Sequence, residues 1–235
     1  MALRFNASGD RLSSTTNLPG AAAFTLMGWV YIAVDLNLFG SLLVYGDSVG
    51  PKFAYVGVDG TGTTLNLYDG INDNAGSALS LATWYHVALA GNLNGSLTAY
   101  LNGVSNVTAT GDAANSSERI ELMNNTANEN IDGRLAAVKI YSAILTAPEI
   151  LQEMRSFRPV RTANLNTWLP CVDRVVADNA LDMSGNGYDM TVGGTLTVED
   201  GPPIPWGQGR KKYFIPLAAG GYTPINAPIS DSLWV

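Results

Sequence analysis

Two alternating stretches constrain this chain more than any other feature. In Phe24-Thr-Leu-Met-Gly-Trp-Val-Tyr-Ile32, residues Thr25, Met27, Trp29 and Tyr31 alternate with Phe24, Leu26, Gly28, Val30 and Ile32, so the two sets face opposite sides of a strand. Trp84-Tyr-His-Val-Ala-Leu89 then runs through the polar link Gly91-Asn-Leu-Asn-Gly95 into Leu97-Thr-Ala-Tyr-Leu-Asn-Gly-Val104. That second run ends on Asn102-Gly103, the dipeptide that most readily takes positive φ in a tight turn. Further short strands are predicted at Leu42–Tyr45, Phe53–Val58 and Leu65–Tyr68. Gly46-Asp47, Asp59-Gly60, Asp69-Gly70 and Asp132-Gly133 supply turn signals between strands at the spacing of an antiparallel sandwich. Helix signal is confined to one place. Thr146-Ala-Pro-Glu149 is a capping box, and Ile150, Leu151 and Met154 follow it as an apolar stripe, which predicts one short helix near 147–155.

A chain of 235 residues can bury the core of one large sandwich. Charged residues make up 14% of it and the net charge is −7, which argues against nucleic-acid binding, because neutralising phosphates needs a basic surface. The one basic cluster, Arg210-Lys211-Lys212, is too short to reverse this. Cys171 is the sole cysteine; an intrachain disulfide is excluded, and its place after Trp168-Leu-Pro170 predicts a buried, small apolar residue. Met1-Ala-Leu-Arg-Phe5 enters the first strand without the marks of a signal peptide, so the chain is either not exported that way or begins after such a leader. No stretch reads as a membrane span, since Ala21 to Leu43 is interrupted by Asp35 and by turn residues.

The segments Trp84-Tyr-His-Val-Ala88 and Leu97 to Gly103 resemble the "WHHVA" and "LYVNG" strands of the laminin G-like, pentraxin-like branch of the concanavalin A-like lectin and glucanase superfamily. Ala2-Leu-Arg-Phe-Asn6 through Asp10 resembles its opening strand, and Ile131-Asp-Gly-Arg-Leu135 through Tyr141 its "GxIDEVRIYNRAL" segment. The resemblance implies an all-β, antiparallel jelly-roll sandwich. Leu165 to Pro170, Ala180-Leu-Asp-Met-Ser-Gly-Asn-Gly187, Gly193-Gly194 and Asp200-Gly-Pro-Pro203 resemble a stretch that in many relatives precedes the first strand. Here it comes last. Either the order is permuted, with residues 163–200 returning beside the first strand, or a second repeat begins and is cut short; permutation is favoured because sandwich termini lie close together. The expected division is a sandwich over 1–206 and an extended C-terminal arm over 207–235.

Candidate site residues are few. The two-carboxylate E-x-D-x-x-E strand pattern of the superfamily's glucanases is absent, and Glu118 with Glu121, or Glu129 with Asp132, stand three apart and would face opposite sides of a strand. The expectation is therefore no enzyme. Asp182, Ser184, Asn186 and Asp189 imitate the start of a calcium loop, but Gly193 stands where its bidentate acid belongs. A hydrogen-bonded turn is the preferred reading and Ca2+ the alternative, with Asp47 and Asp69 as other loop ligands. His86, the single histidine, reads as a packed sheet residue, and Trp29, Trp84 and Trp168 as core. Sequons at Asn6, Asn94, Asn106, Asn115 and Asn124 carry no weight in a chain this rich in Asn, Ser and Thr.

The stretch after Gly207 is broken by Pro216, Pro224 and Pro228, yet it is more apolar than a solvated tail. Arg210, Lys211, Lys212, Tyr213, Phe214, Leu233 and Trp234 are its candidate partner-binding residues, and Trp206 with Trp234 could stack on sugars. The function expected is a non-catalytic structural or decoration protein of a virion, of the kind found in phages, with a lectin-like domain. Its partners would be other virion proteins, copies of itself, or surface glycans, with no nucleic acid and no membrane. The alternative is a bacterial or extracellular carbohydrate-binding module, with or without calcium; a degenerate glycosidase is third.

Overall fold

In the computed structural model the alternation resolves into two antiparallel sheets laid face to face. The structure describes residues 1–14, 23–47, 52–111, 119–125, 129–204, 214–216 and 222–224, the last two by backbone alone. In chain order the elements are β1 (Ala2–Phe5), β2 (Arg11–Ser14), β3 (Ala23–Ile32), β4 (Gly40–Asp47), β5 (Lys52–Val58), β6 (Thr64–Tyr68), β7 (Asp73–Ala78), β8 (Trp84–Asn92) and β9 (Ser96–Leu101). There follow β10 (Val104–Thr110), β11 (Ile120–Leu122), β12 (Gly133–Tyr141), α1 (Ala147–Met154), β13 (Leu165–Leu169), β14 (Met190–Gly193), β15 (Thr197–Glu199), β16 (Phe214–Pro216) and β17 (Tyr222–Pro224). One sheet runs β10-β9-β8-β3-β12-β1-β15, with β13 also on β12; the other runs β14-β2-β11-β4-β5-β6-β7.

The even set of β3, Phe24, Leu26, Val30 and Ile32, enters the core with Val87 and Leu89 of β8 and Leu135, Val138 and Ile140 of β12. Leu43 and Tyr45 of β4, Val56 of β5, and Leu65 and Leu67 of β6 meet them from the other sheet. Each such side chain contributes about 1.5–3 kcal/mol by leaving water. Across the interior the Phe24 and Tyr45 rings stack with centroids 3.9 Å apart. The predicted tight turn is present: Asn102 and Gly103 take φ of 51° and 79° and join β9 to β10.

The late segment is threaded through both sheets. β13 pairs with β12, β14 with β2, and β15 with β1. A bulge at Ala137, whose φ is 51°, lets β12 change partners, from β1 at Gly133–Leu135 to β13 from Val138 onward. Asp10 fastens the same region, its carboxylate accepting from the N–H groups of Asn6, Ala7 and Thr195 at 2.8–3.0 Å. On the opposite side the edge strands β7 and β10 are clasped by Asn106, whose amide accepts from Ser77 N at 2.9 Å and donates to Ser77 Oγ at 2.7 Å.

α1 lies on the outer face of the larger sheet, over Met27, Ala88, Ala90 and Tyr141. Glu149 accepts from the Thr146 N–H at 2.8 Å, as the capping box requires. The helix is anchored by Lys139, buried on β12, whose ammonium donates to the Glu153 carboxylate and to the carbonyls of Glu153 and Ser156 at 2.7–2.8 Å. One expectation needs correction. Trp29, Trp84 and Trp168 are half-buried on this outer face and are not core, because the odd positions of β3 and Trp84 and Trp168 on β8 and β13 point away from the second sheet. In the C-terminal region, 214–216 and 222–224 pair as a short antiparallel ladder.

Candidate functional site

The outer face of the seven-stranded sheet gathers side chains suited to holding a polar, ring-shaped ligand. In β5 the sequence Phe53-Ala-Tyr-Val-Gly-Val58 sends Ala54, Val56 and Val58 inward and so turns Phe53 and Tyr55 outward. In β6, Leu65 and Leu67 point in, and Asn66 and Tyr68 point out. Tyr55 and Tyr68 are direct cross-strand partners. The three rings form one cluster, with centroids 5.2 Å apart for Tyr55 and Tyr68, 5.1 Å for Phe53 and Tyr68, and 6.0 Å for Phe53 and Tyr55. Tyr55 is buried beneath while Phe53 and Tyr68 keep part of their surface open.

Polar groups border the rings on two sides. On β7, Asp73 accepts from the Asn66 amide at 2.6 Å and from the Tyr55 hydroxyl at 3.5 Å. On the other side Glu129 is held by the Asn125 amide at 2.6 Å and by the Ser41 hydroxyl at 3.0 Å. Burial, with Glu129 and Asp73 beside it, pushes the Tyr55 phenol far above its ordinary range; burial, with Asp73, Asp69 and Glu129 nearby, raises Tyr68. Both hydroxyls therefore stay protonated at neutral pH; Tyr55 gives its proton to Asp73 and Tyr68 gives its own to the Gly70 carbonyl at 2.8 Å, which leaves their lone pairs to accept. Flat rings with fixed carboxylate, amide and hydroxyl groups at their edges can stack against the apolar face of a sugar and bond its hydroxyls.

Asp182, Ser184, Asn186 and Asp189 lie together in the loop between β13 and β14, where their polar atoms serve the loop itself. The Asp182 carboxylate accepts from the N–H groups of Trp168, Ser184 and Tyr188 at 2.8–3.1 Å and from the Ser184 hydroxyl at 2.7 Å. Asn186 donates to the carbonyls of Leu165 and Asn166 at 2.8 and 2.9 Å, and Asp189 accepts from the Asp182 N–H at 2.8 Å. This is the arrangement of a hydrogen-bonded turn, in which the carboxylate oxygens face N–H and hydroxyl donors of the loop. Asp69 is likewise engaged, by Ile71 N, Asn72 N and the Asn74 amide at 2.7–3.0 Å. The Asp47 side chain lies outside the described residues. Among the described residues no group of three or more His, Cys, Asp and Glu side chains is placed to hold a metal ion.

His86 is buried, with the Trp29 ring edge-on at 5.6 Å. Burial and the nearby Lys139 bring its imidazole down to about 3. Cys171 is buried as expected, and burial pushes its thiol up to about 12. Of the sequons, Asn124 is buried and donates to the Ser8 carbonyl at 2.8 Å, while Asn106 is the β7–β10 clasp. Arg210, Lys211, Lys212, Tyr213, Leu233 and Trp234, with Trp206, Asn115 and Glu118, lie outside the described residues, as does the Phe214 side chain. Sequence reasoning found strands β5 and β6 but passed over Phe53, Tyr55, Asn66, Tyr68 and Asp73. The signal was available in the outward aromatic positions of the two alternating runs.

Fold and face together define a lectin-like β-sandwich. The chain belongs to the concanavalin A-like lectin/glucanases superfamily, whose laminin G family model matches residues 6–151. It is similar in fold to a proposed carbohydrate-binding protein from Bacteroides ovatus, with a TM-score of 0.65 at 15% identity over 86% of this chain; the chain spans 60% of that protein's length. A heptameric SAP-like pentraxin from Limulus polyphemus gives a TM-score of 0.52 at 15% identity, covering 64% of this chain and 79% of the pentraxin. No curated protein sequence matches the chain. Among the described residues no helix is long and apolar enough to cross a membrane.

Proposed function

We propose that the chain is a non-catalytic carbohydrate-recognition module that binds saccharide on the outer face of its seven-stranded sheet, without calcium. The observation that carries this reading is the Phe53, Tyr55 and Tyr68 ring cluster bordered by Asp73, Asn66 and Glu129. The carbohydrate-binding description of the Bacteroides protein supports it by analogy of fold. Non-catalysis is supported by the missing carboxylate pair: Glu121 is the single acidic residue of β11 and no E-x-D-x-x-E run occurs. A glycan array tests the reading. Binding with and without calcium, lost in Tyr68→Ala, is expected; a blank array under both conditions contradicts it. Release of reducing sugar from laminarin, agarose or xylan, abolished by Glu129→Gln, would contradict the non-catalytic part.

Within this reading we place the module on a virion or an extracellular surface, the virion being supported by the low-charge, acidic composition. The region 207–235 would then serve as the contact with a neighbouring subunit. Proteomics of purified particles checks the location. Unchanged assembly after removal of 207–235 would contradict the contact.

A further inference from the structure

The outer face of the larger sheet is divided into two unlike halves. α1 covers the half that carries Met27, Ala88, Ala90, Tyr141 and Lys139. On the other half Trp84, Tyr31, Arg134 and Arg4 stand in one row across β8, β3, β12 and β1, each the direct cross-strand partner of the next. Three strand spacings make this row about 14 Å long. The Trp84 and Tyr31 rings lie 5.4 Å apart, and the Arg134 guanidinium sits 4.6 Å over the centre of the Tyr31 ring. All four side chains keep part of their surface open. Past Arg134 the row continues into a groove of about 400 Å3 lined by Met1, Arg134, Val198, Glu199 and Asp200.

Both arginines of the row are paired. Arg134 pairs with Glu199 at 2.6 Å, and Arg4 pairs with Asp132 and, at 3.5 Å, with Glu199. Arg4 and Arg134 are matched by Asp132 and Glu199, so the row carries no unpaired arginine and presents fixed donors and acceptors along one edge and two rings along the other. A cross-strand aromatic pair strengthens a sheet by about 0.2–1 kcal/mol. That accounts for the pairing of Trp84 with Tyr31, but not for their partly open position in one row with the paired arginines. Because both arginines are already paired, an anionic ligand would have to break those ion pairs. A neutral polyhydroxyl ligand can stack on the rings and bond the outer lone pairs and N–H groups without disturbing them.

We propose that this strip is a second saccharide-binding site, on the side of the sandwich opposite the first, and that it takes a short neutral oligosaccharide. The two sites share no residue. One chain can then hold two glycan strands at once and cross-link a polysaccharide as a monomer.

Calorimetric titration of the full chain with laminarihexaose, cellohexaose, xylohexaose and chitohexaose tests this, with sialyllactose as the anionic probe. At least one neutral hexasaccharide should bind with an affinity that falls tenfold or more in Trp84→Ala and in Tyr31→Ser. In Tyr68→Ala that component should persist. Melting temperatures show that the variants are folded, and the substitutions on two different strands guard against failure of either one. Unchanged affinity in both strip variants, no binding of any of the four probes, or tighter binding of sialyllactose would each overturn the proposal. Loss of binding in Tyr68→Ala alone would leave the first site standing and remove the second.

Discussion

Three side chains carry testable weight out of proportion to their size. Lys139 is buried, and burial lowers its ammonium while Glu153 draws it back up. Replacing it by Met leaves Glu153 buried without its cation, which typically costs about 3–5 kcal/mol. The double variant Lys139→Met, Glu153→Leu removes both charges and should recover much of that loss. Denaturant unfolding of the two variants checks this, and equal stability of single and double variants contradicts it. His86 provides a pH signature. Its folded value of about 3 lies below the ordinary 6.5, so between these values the unfolded chain binds a proton that the folded chain refuses. The contribution is whole above 6.5 and is lost as pH falls, by about 1.4 kcal/mol per pH unit at most. His86→Phe should therefore show a shallower fall in melting temperature between pH 6.5 and 4 than the parent; parallel curves contradict the assignment. Asp182 serves as a latch, so Asp182→Ala should lower the melting temperature equally in calcium and in EDTA. A loss seen only in calcium would favour the metal reading instead.

At the scale of elements, the legible features were those in which composition and period agree. β3, β8, β9 and the turn at Asn102-Gly103 could be read because alternation and turn chemistry coincide there. Alternation is symmetric, however, and does not say which set faces in. Trp29, Trp84 and Trp168 fall on the outward sets, so size and hydrophobicity misled, and the outward Phe53, Tyr55 and Tyr68 were missed for the same reason. β7, Asp73-Asn-Ala-Gly-Ser-Ala78, is an edge strand with most of its residues exposed, so it has no apolar period to read. The partner change along β12 depends on Ala137 at positive φ, which no residue type announces. A chain ending at Pro159 lacks β13, β14 and β15 and so uncovers the edges of β12, β2 and β1. It should aggregate, as measured by size-exclusion chromatography. A soluble truncation with a cooperative melt would show that these strands are dispensable.

For the whole molecule, the account rests on a sandwich with two dissimilar outer faces. One is partly roofed by α1 and fixed by the Lys139 anchor; the other carries the ring cluster with carboxylates and amides on its borders. Such a body needs no moving part to recognise a sugar, since the strands already hold the rings and Asp73 and Glu129 are already oriented by Asn66, Asn125 and Ser41. The measurement that tests the central claim most directly is a two-dimensional NMR titration of the labelled chain with a saccharide drawn from the array. The account predicts shift changes centred on Phe53, Tyr55, Asn66, Tyr68 and Asp73, with or without calcium. Changes confined to the 182–189 loop and dependent on calcium would contradict it.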